Sequence, residues 1–291
     1  MKTPTRDSIW RIDLARDLAA PYIAHPDVRL VVLGGSPAKG ISDQYSDLDI
    51  VVYWDTIDRN WIDQAPLTRT FGLQRKMNEF WEQSRSCFEL YYAGTLIVEF
   101  GGTTVSDWRA MTQGVMERFE ATPPVLKTIG GFLNAEVLHG QDLYRTLCAE
   151  VTPYPHELAV RIVRNSLGFF WNGVLENQGL NRGEFLFVQD AICATIKRLL
   201  TILAALNHTY YSPMEPRWIE YEYGKMPIVP SNLWPKILDI VNGDRRVAIG
   251  RLDALIQEVL DLVRSHMPEI DLDDAKRRWD IDVRGCLDRP I

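Results

Sequence analysis

Short continuous apolar runs alternate with amphipathic stretches through the first half of the chain, and after about residue 151 the pattern turns helical almost throughout. Residues 6–20 carry Ile9, Ile12 and Leu18 at helical spacing, which predicts an amphipathic helix with those residues inward. Residues 28–33 are continuous and β-branched, the pattern of a strand buried on both faces, and residues 48–53 form a second such run. Residues 74–83 read as helical. Residues 87–92 and 95–100 flank Ala93-Gly94 in the manner of a tight hairpin. Ser106 is placed to cap a helix over residues 107–119, and residues 135–138 return as a short strand.

Beyond Pro153 and Pro155, Val160, Val163, Leu167, Phe170 and Val174 recur every three or four positions and predict one helix over 156–177. Arg161, Asn165, Asn172 and Glu176 form its polar stripe, a solvated face or a substrate-facing wall. Asn181 can cap a central helix over 182–207, with Phe185, Val188, Ile192, Leu199, Ile202 and Leu206 inward, and further helices are expected over 231–242 and 245–266. The tail from Glu269 mixes acidic and basic clusters and reads as a surface segment. The expected fold class is therefore α+β: a mixed β-sheet flanked by helices over residues 1–150, followed by an all-α bundle over 151–291.

Composition narrows the function classes. The 291 residues are 46% hydrophobic and 24% charged, as in an ordinary folded protein. Net charge is −7, which disfavours long nucleic acid as a partner and suits a cationic small molecule better. Cys87, Cys148, Cys193 and Cys286 are scattered and form no zinc-ligand spacing. Arg6, Asp7, Arg11, Asp13 and Arg16 interrupt any signal-peptide core, and Lys197 and Arg198 break the most apolar stretch well short of a membrane span. The expectation is a cytoplasmic protein with no membrane partner; its oligomeric state is not legible.

The chemistry concentrates in Leu33-Gly34-Gly35-Ser36-Pro37-Ala38-Lys39-Gly40 and Tyr45-Ser46-Asp47-Leu48-Asp49. Two glycines and a serine after a buried strand let the backbone approach a phosphate closely and offer it amides and a hydroxyl. The spacing matches neither a P-loop nor a dinucleotide-binding fingerprint. Asp47 and Asp49, two apart at the start of a strand, put both carboxylates on one face, where they repel unless a hard cation such as Mg²⁺ lies between them. Two metals clamped for phosphoryl chemistry call for a third acid on a neighbouring strand. Glu99, alone in an apolar run, is the favoured candidate and Glu89 the rival.

Gly-Gly-Ser, then Asp-x-Asp after a ten-residue gap, then a strand-borne acid, together resemble the nucleotidyltransferase superfamily that includes DNA polymerase beta and the aminoglycoside and lincosamide nucleotidyltransferases. The resemblance covers roughly residues 28–105. It implies a nucleotidyltransferase-type sheet in which Gly34, Gly35, Ser36, Lys39 and Ser46 meet the triphosphate of ATP or another NTP. Asp47, Asp49 and Glu99 would hold two Mg²⁺ ions, with Glu99 able instead to activate the acceptor hydroxyl. It also implies a helical C-terminal domain that binds the acceptor and lends a general base, for which Glu184 and Asp190 qualify by position. Asn207, Tyr210, Arg217 and Trp218 could line its pocket. The implied reaction moves NMP, AMP from ATP, to a hydroxyl of a small molecule such as an aminoglycoside-like antibiotic. Protein- or RNA-directed transfer and a non-catalytic nucleotide-binding regulator are the alternatives.

Overall fold

The computed structural model describes residues 3–83, 85–170, 172–212 and 216–273. Cys286 and the tail beyond residue 273 lie outside the described residues. The chain divides into two compact units, Met1–Arg118 with Thr128–Pro153, and Phe119–Lys127 with Tyr154–Ile291.

The first unit opens with α1 (Arg6–Ile23), whose first turn is closed by Thr5 accepting the Ser8 amide. Then follow β1 (Val28–Leu33), the single turn α2 (Gly35–Ala38), β2 (Leu48–Trp54), α3 (Arg59–Asp63) and α4 (Pro66–Phe71). The chain continues through β3 (Gln74–Trp81), β4 (Ser86–Ala93), β5 (Leu96–Thr104), α5 (Val105–Arg118), α6 (Pro123–Leu133), β6 (Glu136–His139) and α7 (Gln141–Glu150). The six strands form one mixed sheet in the order β3-β4-β5-β2-β1-β6, with β2 and β5 parallel and the other pairs antiparallel. The core lies on one face, where Leu48, Ile50, Val52 and Trp54 of β2, Val98 and Phe100 of β5 and Tyr91 of β4 cluster with Ala15, Leu18 and Tyr22 of α1. β1 is buried except at Arg29, as its unbroken apolar run predicts.

Several expectations for this unit are corrected. Residues 74–81 are the strand β3 rather than a helix, because β4 satisfies their backbone and Arg75, Asn78 and Phe80 turn toward α3. Helix-forming side chains do not prevail where a partner strand is at hand. The hairpin turn is Gly94-Thr95, one residue later than Ala93-Gly94, since Ala93 pairs with Leu96. α5 starts before Ser106, and Thr104 is the residue that accepts the Asp107 amide at 3.0 Å. On α1 the inner residues are Ser8, Arg11, Ala15, Leu18 and Tyr22, whereas Ile9 is 49% exposed.

The second unit contains α8 (His156–Ser166), α9 (Phe185–Leu206), α10 (Ile219–Tyr223), α11 (Leu233–Asn242) and α12 (Arg245–His266). α9 is buried on most sides, as its near-continuous apolar sequence predicts. The single helix expected over 156–177 ends instead at Ser166, whose hydroxyl bonds back to the Ile162 carbonyl at 2.8 Å. It resumes as a π-helical turn, Val174–Gly179. The break turns Phe169 inward while Phe170 stays exposed, so the inward residues of α8 are Leu158, Ala159, Ile162 and Val163. Asn181 is no cap: α9 starts at Phe185 after Gly183 at φ +75°, and the Asn181 side chain meets Asn177 and Arg246. Phe185, expected inward, is exposed. Among the described residues no helix is long and apolar enough to cross a membrane.

Candidate functional site

β1 delivers the chain at Leu33 into the glycine turn. The Gly34 amide donates to the Asp49 carbonyl at 2.7 Å, which ties the turn to β2. Gly35 has φ +65°, and a Cβ placed on it would collide with Asp49 Oδ2. The Asp49 carboxylate therefore ends in the space that a side chain at position 35 would fill, and the positive φ is what favours glycine there. Ser36 is buried, with its hydroxyl 3.2 Å from that of Ser42, and its carbonyl accepts the Ile41 amide at 3.1 Å. Lys39 follows at the end of α2, half-buried.

The loop back to β2 is held from α1. Ser42 receives the Thr5 hydroxyl on its carbonyl at 2.8 Å and donates its amide to Ser8 Oγ at 2.9 Å. The Ser46 carbonyl accepts two N–H groups of the Arg11 guanidinium, at 3.0 and 2.8 Å, and the Ser46 hydroxyl donates to Asp43 at 3.0 Å. Arg11 is 2% exposed, lies 3.3 Å from the Asp7 carboxylate and rests over the Trp10 ring. Its task is to fix the backbone immediately before Asp47. The sequence reading treated Arg11 only as a charge that interrupts an apolar N-terminus. The signal was present in the helical period Ser8, Arg11, Ala15, Leu18, Tyr22, which puts the arginine on the buried stripe.

The two-residue period that buries Leu48 and Ile50 leaves Asp49 on the opposite side of the sheet, and Asp47 immediately precedes β2; both are half-buried. Glu99 is the register partner of Asp49 on the parallel strand β5, and adjacent strands run about 4.8 Å apart. Asp49 and Glu99 thus share one sheet face, with Asp47 two residues before Asp49. Glu89 does not: it pairs with Phe100, points into the core at 1% exposure, and accepts the hydroxyls of Tyr22 and Tyr91 with the Arg75 guanidinium 3.7 Å away. Burial pushes the Glu89 carboxyl above its ordinary pKa, against the opposing pull of those hydrogen bonds and of Arg75.

Among the described residues, no group of three or more His, Cys, Asp or Glu side chains is gathered closely enough to hold a metal ion by itself. The donor set nonetheless fits Mg²⁺, which takes one or two carboxylates and completes its shell with water and substrate phosphate oxygens. Asp47 and Asp49, beside a glycine turn, are the residues that could supply that partial shell.

In the second unit, Glu184 immediately precedes α9 and Asp190 lies in its second turn, both exposed. Asn207 is a brace, donating to the carbonyls of Leu203 and Ile228 and accepting the Ile228 amide. Tyr210 is buried with its ring 4.5 Å from that of Tyr154, and Trp218 is exposed. Arg161 and Asn165 of the expected polar stripe do line a cavity of about 430 Å³, together with Phe119, His156, Glu157, Val160, Arg164 and Glu269.

No protein-family model matches the chain, and no curated protein does. Solved structures similar to it include a nucleotidyltransferase-like protein from Exiguobacterium sibiricum, at 13% identity over 89% of this chain and 80% of that one, with a TM-score of 0.35. The Cid1 poly(U) polymerase with MgGTP bound is similar at 14% identity over 45% of this chain and 42% of that one, TM-score 0.26. The Thermotoga maritima CCA-adding enzyme complexed with tRNA is similar at 14% identity over 98% and 83%, TM-score 0.30. Likenesses this distant carry no argument about chemistry, which stands on the residues above.

Proposed function

We propose that this chain is a Mg²⁺-dependent nucleotidyltransferase that moves a nucleoside monophosphate, AMP from ATP, onto a hydroxyl of a small-molecule acceptor and releases pyrophosphate. The observation that carries the reading is the contact of the Gly35 backbone with the Asp49 carboxylate, with Glu99 the register partner of Asp49 on β5. It brings a close-approach glycine turn and a carboxylate pair to one place, as transfer at a phosphate requires.

In this reading the amides of Gly34 and Gly35 and the Ser36 hydroxyl hold the triphosphate. The Ser36–Ser42 pair uses one of its two hydroxyl hydrogens internally, so Ser36 as acceptor keeps its own proton for a phosphate oxygen. Lys39 meets a phosphate from the end of α2, and Ser46, clamped by Arg11, sets the entry of Asp47. Asp47 and Asp49 would hold Mg²⁺, which when bound neutralises the triphosphate and lowers the pKa of the acceptor hydroxyl, and Glu99 acts as the base rather than as a ligand. The acceptor oxygen bonds to the α-phosphorus as the bond from that phosphorus to the bridging oxygen breaks. Glu99 takes the hydroxyl proton, and pyrophosphate leaves. Residues 1–150 form the catalytic domain, and the helical domain over 151–291 contributes to the choice of acceptor.

The test is pyrophosphate release from each of the four NTPs with Mg²⁺ against a panel of hydroxyl acceptors, with Asp47→Asn as control. Acceptor-dependent release that disappears in the control is expected. Release undiminished in Asp47→Asn would contradict the assignment.

A further inference from the structure

The face that carries Asp49 and Glu99 does not end at the acids. Antiparallel pairing carries it sideways from β5: Leu90 stands beside Glu99, Tyr92 beside Ile97, and Met77 beside Leu90. The opposite face of the same strands holds the buried Cys87, Glu89 and Tyr91. On the acid-bearing side Ile97 is 37%, Tyr92 39% and Met77 41% exposed, Leu90 between them is half-buried, and the exposed Gln74 and Glu79 of β3 mark the polar edge. From strand spacing and rise, Leu90 lies about 5 Å from Glu99 and Tyr92 about 8 Å, measured along the sheet. A row of large apolar side chains left open on a sheet whose other face is a full core marks a binding surface rather than a packing one.

We infer that Leu90, Tyr92, Ile97 and Met77 form the acceptor platform of the proposed transferase, and that the acceptor carries a flat apolar ring attached to its hydroxyl-bearing part. The occupant follows from continuity and from the apolar, aromatic character of the surface. The reacting hydroxyl has to arrive beside Glu99, and the surface next to Glu99 is this platform. The side chain of Tyr92 is the aromatic partner, with Lys76 Nζ 5.3 Å from its ring centroid. The inference rests on the transferase reading and narrows its acceptor.

The probe is 2-naphthyl β-D-glucoside, which joins a flat apolar ring to a set of hydroxyls. Its binding to the full chain with MgATP is measured by calorimetry, and its support of pyrophosphate release is followed in parallel. Tyr92→Ser and Met77→Ser should each weaken binding at least fivefold and raise the KM for the probe with kcat within twofold. Leu186→Ser, which removes a highly exposed leucine of the second unit, should change neither. Thermal midpoints within a few degrees of wild type exclude unfolding as the cause. Binding that is absent, insensitive to both platform variants or equally weakened by Leu186→Ser would overturn the platform. Displacement of the probe by an aminoglycoside, which carries no apolar ring, would overturn the preference for one. Absence of pyrophosphate release with every acceptor, while Tyr92-dependent probe binding persists, would fail the transferase reading instead.

Discussion

At Gly35 a single hydrogen atom in place of a side chain decides two things at once. The left-handed φ of +65° costs an L-residue about 1–2 kcal/mol, and a methyl group there would collide with Asp49 Oδ2. Gly35→Ala should therefore both destabilise the first unit by at least about 1 kcal/mol, read from urea denaturation, and displace the Asp49 carboxylate, which under the proposed function weakens NTP binding. An alanine variant of wild-type stability and activity would show that the contact is dispensable. Glu89 gives a second prediction, one of pH. Its carboxyl pKa is raised in the folded chain, so the folded state holds that proton more tightly than the unfolded state. Its contribution is fully present below the ordinary carboxylate pKa and is lost as pH rises through the raised value. Wild type should accordingly lose stability relative to Glu89→Gln as pH rises from 4 toward 7, and a difference that moves the other way would contradict the burial account.

At the scale of elements, α1 acts on the site from a distance. Its buried Arg11 holds the Ser46 carbonyl, and its first turn holds Ser42, so a helix with no candidate catalytic residue fixes both ends of the loop between Gly40 and Asp47. Replacing Arg11 by Met keeps much of the buried volume and removes the charged donors. It should cost about 1.5–3 kcal/mol of stability and raise the KM for NTP more than it lowers kcat. A variant that binds NTP as wild type does would leave Arg11 with a packing role alone. These elements also show where sequence is readable. β1 and β2 declare themselves, β1 because a strand buried on both faces leaves a continuous apolar run and β2 because its start alternates acids with buried apolar residues. A lone acid in an apolar strand marks Glu99 and Glu89 alike in the sequence, and only the register of β5 with β2 sets Glu99 beside Asp49 while Glu89 turns into the core. β3 was not legible, since its residues favour helix in isolation and only pairing with β4 makes them a strand. The kink after Ser166 was hidden because the apolar period runs on through it. Arg11 was hidden because a charge is read as surface until the helix is laid against a neighbour.

Over the whole molecule, the net charge of −7 disfavours a long polyanion as acceptor, and the apolar platform favours a small one. Binding of a homopolymeric RNA should be no tighter than the non-specific range, roughly 10⁻⁴–10⁻⁶ M at physiological salt, by fluorescence anisotropy. Nanomolar binding that falls steeply with salt would redirect the reading to an RNA acceptor. The central claim is that the bond broken lies between the α- and β-phosphates at a site built on Asp49. Its most direct test follows the label from α-³²P and from γ-³²P NTP with the wild-type chain and with Asp49→Asn, both shown to be folded. The account predicts that the α label joins the acceptor, that the γ label leaves as pyrophosphate, and that both transfers fall by about 10²-fold or more in the variant. Transfer of the γ label to the acceptor, or full activity in Asp49→Asn, would contradict it.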